Sequence, residues 1–194
     1  MSAHVVAVDA WRLPSRGRVG MWCLIAAESA IFTIFVVAYL FYIGKSQTGP
    51  KPADVLHAPI LYTICLLSSS LTIHISVRRI AEGKLGAFAL WWIATILLGG
   101  AFLFGTGREW AHLIQGEGLT ITTNLFGTTY YSLVGLHAFH VTMGLLALTL
   151  VASFYFTSRL RREHSERLEV LSMYWHFVDA VWIVVFTVVY MIGA

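Results

Sequence analysis

Charge is what this sequence has least of. Only 12% of its 194 residues are Asp, Glu, Lys or Arg, about half the share of a soluble domain. Hydrophobic residues make up 58% and the mean hydropathy is +0.74. This excludes a water-soluble globule and points to an integral membrane protein. A nucleic-acid partner is also excluded, because the net charge of +3 is small and the basic residues fall in short loops, where they act as orientation signals. Cysteine is nearly absent. Cys23 and Cys65 lie inside apolar runs and read as buried packing thiols rather than a disulfide. There is no C-x-x-C-H for covalent haem and no paired-cysteine metal loop. A phosphate-cradling Gly-rich loop, a Ser-His-Asp arrangement and an H-E-x-x-H helix are all missing. A cleavable secretory leader is not expected either, since the first apolar run is too long for one and lacks a small-residue cleavage site.

What is present is a set of five apolar runs near or above the roughly 20 residues a bilayer needs. They predict an all-α integral membrane bundle of five transmembrane helices, at approximately 19–43, 57–77, 85–105, 128–156 and 171–192. Residues 1–18 read as a cytoplasmic N-terminal tail and 19–194 as a single transmembrane domain. The polar linker 107–127 is expected to hold a separate interfacial helix over 108–115. Ten basic residues (Arg12, Arg16, Arg18, Arg78, Arg79, Lys84, Arg159, Arg161, Arg162 and Arg167) fall on one side. Lys45, Lys51 and Arg108 fall on the other. The positive-inside rule therefore places the N-terminus in the cytoplasm and the C-terminus outside.

Ionisable residues inside the spans are costly in lipid and need a reason to be there. His176 and Asp179 sit three apart in the last run and share a helix face. Glu28 lies about 15 Å into the first helix. It reads either as a proton-active or lipid-contacting acid or as a carboxyl hydrogen-bonded between helices. His137 and His140 also share a face. A catalytic zinc site needs three protein ligands and a closed one four, so interhelical hydrogen bonds are the preferred reading and no metal is assigned. Ser68, Ser69, Ser70 and Thr72, and the Gly99-Gly100 pair, read as close helix packing. Trp22, Trp91, Trp92, Trp110, Trp175 and Trp182 read mostly as aromatic belts at the headgroup level.

Three motifs carry a family resemblance. Arg18-Val-Gly-Met-Trp-Cys-Leu-Ile-Ala-Ala-Glu28 resembles the R-x-G-M-x5-S-E opening of subunit III of the haem-copper cytochrome c oxidases. That match puts Glu28 on the family's carbodiimide-reactive membrane carboxylate. Phe126-Gly127-Thr128-Thr129 through His137-Ala138-Phe139-His140-Val141 is similar to its F-G-S-T…F-H-G-L-H-V stretch. Glu169 and Tyr174-Trp175-His176-Phe177-Val178-Asp179 resemble its E-x4-Y-W-H-F-V-D. The chain lacks the two leading helices of the seven-helix form and so resembles the short bacterial type, while Glu109-Trp110 keeps the acid of the third linker.

The resemblance implies a non-redox subunit with no catalytic residue of its own. Haem and copper would sit in partner subunits, chiefly subunit I, with subunit II, a small subunit IV and possible membership of a larger respiratory supercomplex. It implies a bacterial inner membrane, bound phospholipid, and support of proton uptake and of the dioxygen-reducing centre. Glu28 would be the proton- or lipid-linked residue. His137, His140, Glu109, Glu169, Trp175, His176 and Asp179 would be structural, and Arg159 and Arg161 would meet lipid headgroups. The alternatives are the equivalent subunit of a quinol oxidase or nitric oxide reductase, a stand-alone membrane metalloenzyme, and a proton or ion channel lined by Glu28 and Asp179.

Overall fold

The computed structural model describes residues 15–46 and 49–193. Among these, all regular structure is helical. Helix α1 (Arg16–Tyr42) is followed by a single turn, α2 (Pro52–Val55), and then by α3 (Ile60–Ala81), α4 (Leu85–Gln115) and α5 (Leu125–Phe156). A 3-10 turn (Arg162–His164) leads into α6 (Ser165–Phe186), which continues as a π-helix over Thr187–Ile192. Five helices are long and apolar enough to cross a membrane. Residues 1–14, which include Arg12 and most of the expected N-terminal tail, lie outside the described residues.

All five expected spans have a shifted end, and the starts of α5 and α6 each have a local reason. Helix α5 begins three residues early because Asn124 caps it, its Oδ1 accepting from the Gly127 N–H at 2.8 Å. Helix α6 begins six residues early because Leu168 is buried and Glu169 pairs with α1. The expected separate helix over 108–115 does not exist. It is the end of α4, whose 31 residues run about 46 Å, well beyond a hydrocarbon core of about 30 Å. Within this long helix Gly105 allows α3 to approach, since the Tyr62 ring occupies the space a Cβ would need.

Helices α3 and α4 form the most extensive antiparallel pair, joined by a three-residue turn in which Gly83 takes φ +77°. Helix α6 packs on α1, α3 and α5 and is the central element. Of its apolar window 56% is buried inside the chain, against 11% for α1. The bundle is therefore built around the last helix, and most of α1 is left open to its surroundings.

The tryptophans correct the aromatic-belt expectation. Trp92, Trp175 and Trp182 are core residues with almost no exposure, and among the described residues only Trp22 is a well-exposed tryptophan. Each of these three core indoles finds an acceptor for its N–H: Trp92 on the Leu148 carbonyl at 2.9 Å, Trp175 on Ser69 Oγ at 2.8 Å and Trp182 on Thr63 Oγ1 at 3.1 Å. An indole that satisfies its donor internally has no need of the interface. Neither cysteine is a buried packing thiol: Cys23 is exposed on the sparsely covered α1 and Cys65 is half-buried, both as free thiols.

Candidate functional site

The in-membrane polar residues do not converge on one point. They form separate interhelical contacts, arranged around α6 and spread along the bundle. The best connected is Trp175. Its indole donates to Ser69 on α3, and its ring fills notches left by Gly99 on α4 and Gly144 on α5. A Cβ at Gly99 would lie 2.8 Å from Trp175 Cη2, and one at Gly144 would lie 2.8 Å from Cζ3. One side chain thus keys four helices together. Gly100, read from sequence as a packing glycine like its neighbour, faces open space.

One turn along α6, His176 and Asp179 meet α3 at Ser70. The Ser70 hydroxyl donates to Asp179 Oδ2 in a very short hydrogen bond and lies 2.9 Å from His176 Nδ1. A serine has one proton to give. With that proton directed at Asp179, His176 Nδ1 is the donor to Ser70 Oγ. Asp179 is buried, and its Oδ1 has no partner within the described residues.

Glu28 on α1 reaches His140 on α5, with Glu28 Oε2 3.1 Å from His140 Nε2. The other ring nitrogen settles the chemistry of this contact. Nδ1 lies 2.8 Å from the Leu136 carbonyl, which only accepts, so Nδ1 carries a proton. The Nε2–Oε2 bond then needs one further proton, held either by the carboxyl or by the ring. The pair is a single-proton holder, with Glu28 more exposed than His140 (23% and 8%).

His137 departs from the expected interhelical hydrogen bond. It is fully buried, and neither ring nitrogen has a partner. It stacks on Trp182 with ring centres 5.0 Å apart and meets the edge of Phe102 at 5.7 Å. Its place is in an aromatic layer joining α4, α5 and α6.

At the far end of α4, Glu109 Oε1 accepts from Tyr190 at 2.6 Å and from Tyr130 at 3.1 Å. It ties α4 to α5 and to the π-helix, and it lines a cleft of about 490 Å³ with His57, Arg108 and His112. At the opposite end Arg18 and Glu169 form a 2.7 Å ion pair joining α1 to α6. Arg159 and Arg161 are exposed. Arg159 lines a cavity of about 300 Å³ with Phe154, Leu160, Arg167 and Leu168, whereas the Arg161 backbone N–H is taken by His164 Nδ1 at 3.0 Å. Among the described residues, no three His, Cys, Asp or Glu side chains come together in a group suited to a metal ion.

Tyr130 and Tyr190 were missed by sequence reasoning, and Ser70 was read there only as a packing residue. Tyr130 and Tyr190 carried the better signal, since a phenol in an apolar helix needs an acceptor and Glu109 is an unpaired acid at the matching end.

Fold and contacts together define a polytopic α-helical membrane protein in which acids, imidazoles and indoles bond one helix to the next. The family model for cytochrome c oxidase subunit III matches residues 14–194, and the chain belongs to that family. It is 32% identical to cytochrome c oxidase subunit 3 of Alkalihalophilus pseudofirmus, over 90% of this chain and 85% of the relative. It is 33% identical to cytochrome bo(3) ubiquinol oxidase subunit 3 of Pseudomonas aeruginosa, over 90% and 84%. Quinol oxidase subunit 3 of Bacillus subtilis is 31% identical over 90% and 86%.

Proposed function

We propose that this chain is the non-catalytic accessory subunit of a proton-pumping haem-copper terminal oxidase in a bacterial inner membrane. It packs against the catalytic subunit I, beside subunit II and a small subunit IV, and the haem and copper belong to those partners. The observation that carries this reading is the way the motif side chains are used. Glu109, Glu169, Trp175, His176 and Asp179 each bond to a different helix, and His137 packs among rings. That is how a scaffold is built.

The exception is the Glu28–His140 pair, which shares one transferable proton between a partly exposed carboxyl and a ring nitrogen. It is the group through which this subunit supports proton uptake. Arg159 and Arg167, beside Leu160 and Phe154, suit a phospholipid phosphate with its acyl chain alongside. Arg18, Arg78, Arg79 and the basic turn after α5 gather at one end of the bundle, which supports a cytoplasmic position for that end.

A quinol-oxidase setting is the second reading, favoured by the ubiquinol and quinol oxidase relatives. The test is a reduced-minus-oxidised visible spectrum of material drawn from membranes in mild detergent by a tag on this chain. Stoichiometric haem bands are expected. Ubiquinol oxidised by the same material, with reduced cytochrome c left untouched, would argue for quinol as its electron source. A pure chain without haem refutes the proposal.

A further inference from the structure

Lipid-facing hydroxyls in this chain are self-sufficient. Ser29, Thr33, Thr142, Thr149, Ser153 and Thr187 are exposed, and each donates to a carbonyl three or four residues earlier on its own helix. Such groups sit in hydrocarbon without a partner chain. His74 on α3 is different. It is exposed, it lies seven residues from the end of α3, or about 10 Å deep, and it makes no hydrogen bond among the described residues.

The surface around His74 has an order of its own. Ile60, Ile64, Leu67, Leu71, His74 and Arg78 are all exposed and follow one another at intervals of four, three, four, three and four residues. This is the spacing of a coiled-coil seam, in which side chains on one helix enter the gaps of another, and a single polar residue within such a seam fixes the register. Leu71, 64% exposed, has no neighbour on this chain to enclose it. Behind the seam stands the Ser70–His176–Asp179 network, on the same side of α3 as His74 by the four-residue spacing from Ser70. The opposite face of α3, with Leu66, Ser69, Ile73 and Ser76, is already buried in this chain.

We infer that the exposed seam of α3 is the docking face for a spanning helix of a neighbouring oxidase subunit, one that presents a hydrogen-bonding side chain at the depth of His74. A lipid tail would fill the apolar positions equally well but would strand the imidazole. A protein helix satisfies both. The inference rests on the subunit reading given above and names the surface through which that assembly is made.

The test uses the whole oxidase in native membranes, with a photoreactive benzoylphenylalanine placed at Leu67 or Leu71. Irradiation followed by mass spectrometry is expected to join both positions to the same spanning helix of another subunit, one turn apart. Adducts to lipid alone, or to a second copy of this chain, overturn the inference. In parallel, His74→Leu is expected to lower the amount of this chain retained per haem after detergent extraction by about threefold, the usual weight of one interhelical hydrogen bond in a membrane. His74→Gln is expected to restore it. Retention by His74→Leu equal to or above the parent overturns the polar anchor. If the unsubstituted chain brings down no haem, the subunit reading itself has failed. Haem recovery with only lipid adducts defeats this inference alone.

Discussion

Gly99 and Gly100 are adjacent in one helix, and replacing each by alanine should have opposite effects. Alanine is favoured over glycine in a helix by about 1 kcal/mol. At Gly100 nothing lies within 4 Å of the new methyl, so the gain should appear undiminished. At Gly99 the methyl would meet Trp175 Cη2 at 2.8 Å, Cζ2 at 2.9 Å and Leu145 Cδ2 at 3.0 Å. Carbon pairs settle at about 3.5–4.0 Å, so the overlap is more than half an ångström on three atoms. Trp175 cannot retreat, because it is fully buried, donates to Ser69 and rests against Gly144 on its other side. Overpacking of this kind costs about 1–3 kcal/mol. Net of the helix gain, Gly99→Ala should destabilise by up to about 2 kcal/mol, while Gly100→Ala stabilises by about 1 kcal/mol. In the detergent-purified protein, with helix content followed by circular dichroism during heating, the two should separate by several degrees in opposite directions. Trp175→Phe in the Gly99→Ala background should recover part of the loss. If the two alanines shift the midpoint alike, the keystone role assigned to Trp175 is wrong.

The other contacts predict further outcomes. Glu28→Gln should leave assembly intact, because the amide can still donate to His140 Nε2, and should slow proton uptake measured in oxidase vesicles; a subunit that fails to assemble would make Glu28 a structural group only. Asp179→Ala removes the acceptor of Ser70 in a buried setting and should cost about 1–3 kcal/mol, visible as lower yield of the intact complex, whereas Glu169→Gln breaks an ion pair between half-exposed groups and should cost no more than about 1 kcal/mol. Lys84 at 2.9 Å and Arg79 at 3.1 Å hold the Glu82 carboxyl below its ordinary value. Its contribution to the α3–α4 turn is therefore complete above the unfolded value of about 4.3 and is lost as pH falls through the lower folded value. Nuclear magnetic resonance shifts of Gly83 across an acid titration should report the turn loosening only in that range, and loosening on the alkaline side of neutrality would contradict it.

The sequence by itself determined the class of the protein. Five apolar runs and a 12% charged fraction leave few alternatives to a helical membrane bundle, because lipid demands that backbone groups be satisfied within each segment. Hydropathy is a local sum, so the existence of each span was legible while the end of α4 fell ten residues further on and the start of α6 six residues earlier, and the motifs around Glu28, His140 and Trp175-His176-Asp179 were legible as strings. Which residues those strings would touch was decided only by the tertiary structure. Gly99 and Gly100 look alike in sequence, and Trp92, Trp175 and Trp182 look like interface tryptophans, until the packing of α6 against α3 and α5 separates them. His137 and His140 share a helix face, yet one stacks among rings and the other shares a proton with Glu28, because an offset of about 60° around the helix and about 4.5 Å along it is enough to give them different neighbours. Contact between residues more than a hundred positions apart, as in Glu28–His140 and Ser70–His176, depends on how helices are rotated about their own axes. That rotation is fixed by side-chain fit across the whole bundle and not by any stretch of sequence.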